Sequence, residues 1–106
     1  MSEPIRPDNI DPVIHERVRL SIVSALAVAA EMSFTELKDA LELTDGNLSA
    51  HATRLEGAGY IRVRKTFAAR RPLTTMSLTA KGRRAFERYL ATLRRIVDRG
   101  EETGGT

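Results

Sequence analysis

The stretch TDGNLSAHATRLEGAGY, residues 44–60, decides the fold of this chain. Thr44 is a favourable helix N-cap, because its hydroxyl can accept a hydrogen bond from a free amide of the first turn. Asp45 places a negative charge near the positive end of the helix. Gly57 and Gly59 then predict the end of the helix, so a strand is expected to follow. The stretch is therefore predicted to be one well-delimited helix.

The two faces of this helix differ in chemistry. A narrow apolar stripe at helical spacing faces the core: Leu48, Ala52 and Leu55. The opposite face is small, polar and almost uncharged: Gly46, Asn47, Ser49, Ala50, Thr53 and Arg54. A solvated helix face normally carries Lys and Glu, so this one indicates close approach to another surface. We predict a recognition helix that lies in a DNA groove.

Composition limits the possible classes of protein. A length of 106 residues predicts one domain, and 42% hydrophobic with 29% charged residues predicts a folded, soluble chain. The absence of cysteine excludes disulfides, thiolate metal sites and thiol catalysis. The first residues, MSEPIRPDNI, lack the basic and apolar regions of a signal peptide, and no apolar run is long enough to cross a bilayer. We therefore expect a cytoplasmic protein without a membrane partner.

Charge is distributed unevenly along the chain. Residues 1–53 hold 4 Lys/Arg and 9 Asp/Glu, whereas residues 54–99 hold 13 Lys/Arg and 3 Asp/Glu. A strongly basic block joined to an acidic one indicates a polyanionic partner on one face, although charge can also serve solubility alone.

The segments before the recognition helix predict two further helices. Residues 1–10 show no apolar period and are predicted to be a flexible arm. Asp11 and Pro12 are a helix start, and helix 1 is predicted over residues 12–30. It is apolar on two sides, which fits either contact with a partner or a central core position. Met32 and Ser33 are predicted to form a very short strand. Ser33 and Glu36 then form a capping box for helix 2.

The residues after the recognition helix predict a hairpin and a last helix. The period alternates from Ile61 onward, with Val63 and Phe67 on the same side as Ile61, and the basic turn AARRP (residues 68–72) joins two strands into a wing. The last helix is predicted over residues 80–99, with an apolar stripe longer than its own core requires. Residues 100–106 are predicted to be a frayed, disordered tail. One domain over residues 11–99 is thus expected.

This order of elements resembles a winged helix-turn-helix regulator: mainly α with a small β-wing. DPVIHERVRLSIVSAL (residues 11–26) resembles the first helix of small ArsR-like and MarR-like regulators. FTELKDALELTDGNLSAHATRLEGAGYI (residues 34–61) is similar to their helix-turn-helix and the start of their wing. RRPLTTMSLTAKGRRAFERYL (residues 70–90) is similar to the return strand and the start of the last helix. The pattern L-T-D-G-N-L-S-x-H resembles a family of short winged-helix DNA-binding regulators.

The resemblance implies a homodimeric transcriptional regulator on a roughly palindromic operator of double-stranded DNA. It implies contacts in the DNA groove from the recognition helix: Asn47, Ser49, Ala50, Thr53 and Arg54. It implies further DNA contacts from the wing: Arg64, Lys65, Arg70 and Arg71. Subunits would pair through the first and last helices: Ile14, Val18, Ile22, Tyr89, Leu90, Leu93, Ile96 and Val97. The lack of cysteine rules out a thiolate sensor, the short length puts an effector pocket in doubt, and a small-molecule effector stays unknown.

These residues also have structural interpretations. Asn47 can bond back to Thr44, and Arg54 can simply be solvated. The small residues of the helix can be an ordinary surface, and the hairpin cations can protect a sheet edge. His51 is expected to pack or hydrogen-bond rather than contact a base.

Other functional classes are disfavoured. With two histidines and no cysteine, no metal or cofactor is expected. Nothing in the sequence predicts an enzyme, since it has no nucleophile beside a base and no glycine-rich phosphate loop. The alternative function is a winged-helix protein–protein interaction module without specific DNA binding.

Overall fold

The computed structural model describes residues 5–104, with side chains described for residues 5–100. Four helices, one short strand and a hairpin follow one another in the predicted order. They are a 3-10 turn at Pro7–Asn9, α1 Arg17–Val28, β1 Met32–Ser33, α2 Phe34–Leu41, α3 Asp45–Gly57, β2 Ile61–Ala68, β3 Arg71–Leu78 and α4 Ala80–Gly104. The predicted mainly helical winged helix-turn-helix is confirmed.

The caps predicted for α2 and α3 are present. The Glu36 amide donates to the Ser33 hydroxyl at 3.0 Å, and the Ser33 amide donates back to the Glu36 carboxylate at 2.9 Å. This bond to the Ser33 amide lowers the pKa of Glu36. The α2–α3 turn passes through Glu42, which adopts a left-handed conformation with φ 53°. Thr44 then caps α3, so both helices begin where the sequence predicts.

The first helix differs from its prediction. The sequence predicted one helix over residues 12–30, whereas α1 covers only Arg17–Val28. Asp11 caps a single separate turn, because the amides of Val13 and Ile14 donate to its Oδ1 at 2.9 and 3.2 Å. Asp11 therefore caps backbone amides as the sequence predicts, but the segment it caps is a single turn and not α1.

Glu16 ends this turn and begins α1. Its backbone is extended (φ −145°, ψ 134°), and its carboxylate accepts the amides of Val18 and Arg19, both at 2.9 Å. The bond from the Arg19 amide lowers the pKa of Glu16 below its ordinary value of 4.5. The break lets consecutive residues face different clusters, since Val13 packs in the main core and Ile14 packs against α4.

The hairpin is extended into a three-stranded antiparallel sheet by β1. The strand order is β1-β3-β2, with Met32 opposite Met76 and Ser33 opposite Thr75. The sheet packs beside the helices around one main core. Its fully covered side chains come from the first three helices and from β3: Ile22, Val23, Leu26, Leu37, Leu48, Leu55 and Met76.

The last helix crosses the base of the hairpin at Gly82. A Cβ on Gly82 would lie 2.1 Å from the backbone oxygen of Tyr60, so only glycine allows this approach. Two further bonds fix the crossing: the Thr79 amide donates to the Tyr60 carbonyl at 3.0 Å, and the Thr79 hydroxyl to the Gly59 carbonyl at 2.6 Å. The direction of α4 is therefore set where it leaves the sheet.

The two chain ends were predicted to be irregular. The helix α4 instead continues to Gly104, past the predicted end at Arg99. Of the predicted flexible arm, residues 5–10 carry the 3-10 turn, and Ile10 packs against the Ile14 cluster. Residues 1–4 and 105–106 lie outside the described residues. None of the described helices has the length and apolar character needed to span a membrane.

Candidate nucleic-acid interface

The helix α3 presents the predicted polar face to solvent. The Asn47 amide donates to the Thr44 hydroxyl at 3.1 Å, and Lys38 forms an ion pair of 3.0 Å with Asp45. The stripe that includes Leu48 and Leu55 is buried. All five predicted groove residues are exposed: Asn47, Ser49, Ala50, Thr53 and Arg54. The apolar stripe of α3 thus packs on the core, and its small polar face is exposed to solvent.

The cap bond at Thr44 uses the backbone of Asn47 and not its side chain. In the part of the chain that the structure describes, the side-chain carboxamide of Asn47 forms no hydrogen bond. The Thr53 hydroxyl donates to the Ser49 carbonyl at 2.9 Å, which leaves the hydroxyl oxygen as an acceptor. The side chain of Asn47 therefore keeps the donor and acceptor pair that matches an adenine edge.

His51 joins α3 to the first helix, as a hydrogen-bonding interpretation predicted. Its Nδ1 lies 3.1 Å from the guanidinium of Arg19 and 3.6 Å from the carboxylate of Glu16. Arg19 also donates from Nε to the Val13 carbonyl at 2.6 Å. This half-buried network orients α3 on the core, and the sequence did not reveal Arg19 as its centre.

The hairpin presents its predicted cations on different faces. Lys65 pairs with Thr74 and lies on the face of Val63, whereas Arg64 pairs with Thr75 and lies on the opposite face. Arg71 is the first residue of β3. All four predicted wing residues are exposed: Arg64, Lys65, Arg70 and Arg71. Only Lys65 shares the face that turns toward α3.

The tip of the hairpin is a tight two-residue turn. Ala69 and Arg70 both have positive φ, 52° and 69°, which is the conformation that a two-residue turn between twisted strands requires. Glycine and asparagine are the usual occupants, and a non-glycine residue there costs about 1 kcal/mol or more. An arginine is thus held at the tip in a conformation it disfavours.

A cleft of about 590 Å³ separates α3 from the hairpin. Ser49 and Thr53 form one wall, and Val63, Lys65 and Thr74 form the other. The structure therefore brings members of both predicted sets, helix and wing, to the same cleft. Asn47 lies on the other side of α3, where it lines a separate groove against α1.

Glu56 is an acidic residue that the sequence analysis did not weigh. It also lines the cleft and is the only acidic side chain among those that do so. Phosphate oxygens that enter the cleft would meet the charge of Lys65 together with the opposing charge of Glu56. The cleft is therefore less basic than the hairpin tip.

The predicted dimer residues fall into two groups. Ile14, Ile22 and Tyr89 are buried in the chain's own core, so they leave no surface for a partner, and this part of the prediction is corrected. Ile14 precedes the break at Glu16 and packs against α4, whereas Ile22 lies within α1 and packs in the main core. Val18 is half-buried against the main core.

The second group forms the outer stripe of α4. Leu90 is 46% exposed, Ile96 40% and Val97 54%, and Leu93 is half-buried beside them. A shallow groove runs along this stripe, lined by Leu90, Leu93, Arg94, Val97 and Asp98. The outer stripe of α4 is therefore apolar, partly exposed and bordered by the charged residues Arg94 and Asp98.

Metal ligands and titratable groups add little to the site. Among residues 5–104, with side chains described to residue 100, no group of three His, Asp or Glu is placed to hold a metal ion. Tyr60, at the base of the hairpin, donates its hydroxyl to the carboxylate of Asp11. Burial, and then this bond, raise its pKa to about 12. Tyr60 therefore remains neutral and structural.

Comparison with known proteins places this geometry in context. The sequence model of a family described as "Winged helix DNA-binding domain" matches residues 18–97. The chain is 36% identical over 78 residues to an uncharacterized protein of Methanocaldococcus jannaschii, which covers 74% of this chain and 85% of that protein.

Solved structures share the fold. A transcriptional regulator homologue from Pyrococcus horikoshii matches with a TM-score of 0.77 and 31% identity over 81% of this chain and 85% of that one. The transcriptional regulator BldR of Sulfolobus solfataricus matches with a TM-score of 0.67 over 82% of this chain and 61% of that one. Because BldR is only 23% identical in sequence to this chain, its similarity supports a shared fold and nothing more.

Proposed function

Because the chain belongs to the winged helix DNA-binding domain family and is a DNA-binding transcriptional regulator, we propose that it works as a homodimer on a roughly palindromic operator. The family and the fold are those of regulators and not of enzymes. One observation carries the proposal: Ser49 and Thr53 of α3 and Lys65 of the hairpin line the same cleft. We expect the protein to act in the cytoplasm, beside the chromosome.

In this proposal α3 enters the major groove. Gly46 and Ala50 occupy the centre of its exposed face, so that the helix backbone can approach the base edges closely. Asn47 is assigned to an adenine edge and Arg54 to a guanine edge or a phosphate. Ser49 and Thr53 line the cleft, where the sugar-phosphate backbone would pass.

The hairpin supplies affinity more than sequence reading. Arg70 and Arg71 at the tip fit the negative potential of a narrow minor groove. Lys65 faces the cleft, so its ammonium would meet the phosphates between the two grooves. Arg64 lies on the outer face of the hairpin and is left for a more distant phosphate. Contacts of this kind make affinity fall steeply with salt.

The outer stripe of α4 is the proposed homodimer contact. A helix of 25 residues is about 37 Å long, longer than the body it packs on requires. Two copies of the stripe in twofold symmetry would cover Leu90, Leu93, Ile96 and Val97. The two copies of α3 would then lie about 34 Å apart and read one half-site each.

The DNA part is tested by selecting fragments from genomic DNA and measuring their dissociation constants by fluorescence anisotropy. We expect a few fragments to be retained specifically, and Asn47→Ala with Arg54→Ala to remove discrimination between them and random DNA. The matched control is Arg88→Ala with Arg95→Ala, cations on α4 that line a different groove. If the wild type does not raise the anisotropy of any selected fragment at low salt, specific DNA binding is refuted and a protein-binding role is favoured.

The dimer part is tested by sedimentation of single variants. Val97→Asp places a charge in the stripe and should give a monomer, whereas Ala91→Asp, exposed on another side of α4, should remain dimeric. A wild type that sediments as a monomer at micromolar concentration contradicts the proposed homodimer.

A further inference from the structure

Phe67 lies exposed near the tip of the hairpin. Its side chain is 77% exposed, whereas Phe34 and Phe86 pack against the main core. The alternation in the sequence places Phe67 on the same side of the strand as Ile61 and Val63. The register confirms that these three residues share one face, but Phe67 is exposed together with its neighbours from Arg64 to Pro72, so the core does not cover its ring.

The surroundings of Phe67 identify a partner by charge. It pairs across the hairpin with Pro72, and together they form an apolar knob. Arg70 and Arg71 follow at the turn, and Lys65 shares the face of the ring. A second copy of this tip would bring the same cations together, which disfavours a contact between two tips. A polyanion with an apolar interior satisfies both the cations and the ring.

We propose that Phe67 is an apolar wedge that enters the DNA minor groove and packs on sugars and base edges at the flank of each half-site. This inference rests on the proposed DNA-binding function. Arg70 and Arg71 neutralise the phosphates of the groove, and the ring excludes water between them. Apolar side chains inserted into a minor groove partly unstack a base step and bend the duplex.

The wedge gives sequence preference without hydrogen bonds to bases. Pyrimidine–purine steps unstack at lower cost than other steps, so flanks that contain them would bind more tightly. Burying most of a phenylalanine ring changes affinity by about tenfold or more. Because the ring is uncharged, its removal leaves the salt dependence of binding unchanged.

The first experiment uses the absence of tryptophan from the chain, since Phe67→Trp creates a single tryptophan whose emission can be excited apart from that of the two tyrosines. Thr66→Trp is the matched control, one residue earlier on the opposite face of the hairpin. On addition of a selected fragment, we expect the emission of Phe67→Trp to shift and its acrylamide quenching to fall severalfold. Thr66→Trp should change much less at the same degree of binding.

The second experiment compares Phe67→Ala with the arginine pair. Phe67→Ala should bind a selected fragment about a hundredfold more weakly with an unchanged salt slope, because the dimer loses one ring at each half-site. Arg70→Ala with Arg71→Ala should weaken binding and also reduce the slope. Since Phe67 is exposed, its loss should leave the melting temperature nearly unchanged, and Phe67→Leu, which keeps apolar volume, should lie between wild type and Phe67→Ala.

The outcomes separate this inference from the function on which it rests. If wild type binds DNA but Phe67→Ala binds equally well and the new tryptophan remains water-exposed, the wedge is refuted and the regulator stands. If tryptophan emission changes with protein concentration in the absence of DNA, the tip is a protein contact and the wedge is again refuted. If wild type binds no DNA, both proposals fail.

Discussion

Replacement of Gly82 by alanine tests how α4 is joined to the hairpin. The added Cβ would lie 2.1, 2.8 and 2.9 Å from the oxygen, carbonyl carbon and Cα of Tyr60. Ordinary contacts begin near 3.4 Å, so α4 and the Tyr60 backbone must separate by about 1.3 Å. Both partners are backbone, and therefore no side-chain rotation can relieve the clash.

The cost follows from the contacts at this crossing. Overpacking of this kind costs about 1–3 kcal/mol. The separation also breaks the bond of 3.0 Å from the Thr79 amide to the Tyr60 carbonyl, at about 1 kcal/mol. Alanine is favoured over glycine in a helix by about 1 kcal/mol, which offsets the lost bond. We predict a net loss of about 1–3 kcal/mol, which lowers the melting temperature by about 5–20 °C.

Thermal unfolding followed by circular dichroism measures this loss. Gly57→Ala is the matched control, because a Cβ there meets nothing within 4 Å and its φ is not positive. The control should melt at or slightly above the wild-type temperature. A Gly82→Ala protein that melts within about 2 °C of wild type, less than a 1 kcal/mol loss would produce, refutes the described crossing.

Three further changes have defined outcomes. Tyr60→Phe removes the bond to Asp11 and should lower the free energy of unfolding in urea by about 1 kcal/mol at pH 7. The raised pKa of Tyr60 contributes stability that is fully present below pH 10, so the difference in unfolding free energy between wild type and variant should shrink as pH rises toward about 12. A difference that stays constant over this pH range contradicts the raised pKa. Ala69→Gly relieves a positive φ and should add about 0.5–1 kcal/mol by the same assay, with DNA affinity unchanged because Arg70 remains, whereas a less stable protein argues against the two-residue turn. Glu56→Gln removes the acidic group from the cleft and should strengthen DNA binding at least about twofold by anisotropy, while equal or weaker binding would place the phosphates elsewhere.

Local signals predicted most of the fold. The Thr44 cap, the Ser33–Glu36 capping box and the alternation after Ile61 depend on residues close in sequence, and each was found where expected. The start of α1 was not predictable in this way. Asp11 and Glu16 both offer carboxylate caps, and both are used: Asp11 caps a separate turn and Glu16 begins α1, while the Arg19 side chain donates to the Val13 carbonyl between them.

The candidate site was predictable in its residues but not in their arrangement. Exposure of the small face of α3 follows from helical periodicity, and so does burial of the opposite stripe. The placement of Arg64 and Lys65 on opposite faces follows from the hairpin register. One feature required three-dimensional packing: the backbone contact at Gly82.

The central claim is that the polar face of α3 and the arginine-tipped hairpin form one surface for double-stranded DNA. The most direct test is the slope of log K against log salt for a selected fragment, measured for wild type and for Arg70→Ala with Arg71→Ala. If both arginines of each subunit contact phosphates, a dimer on its operator loses four contacts in the variant, so the magnitude of the slope should fall by about 3.6, while the Arg88→Ala with Arg95→Ala control keeps the wild-type slope. Equal slopes for wild type and the tip variant would contradict the claim.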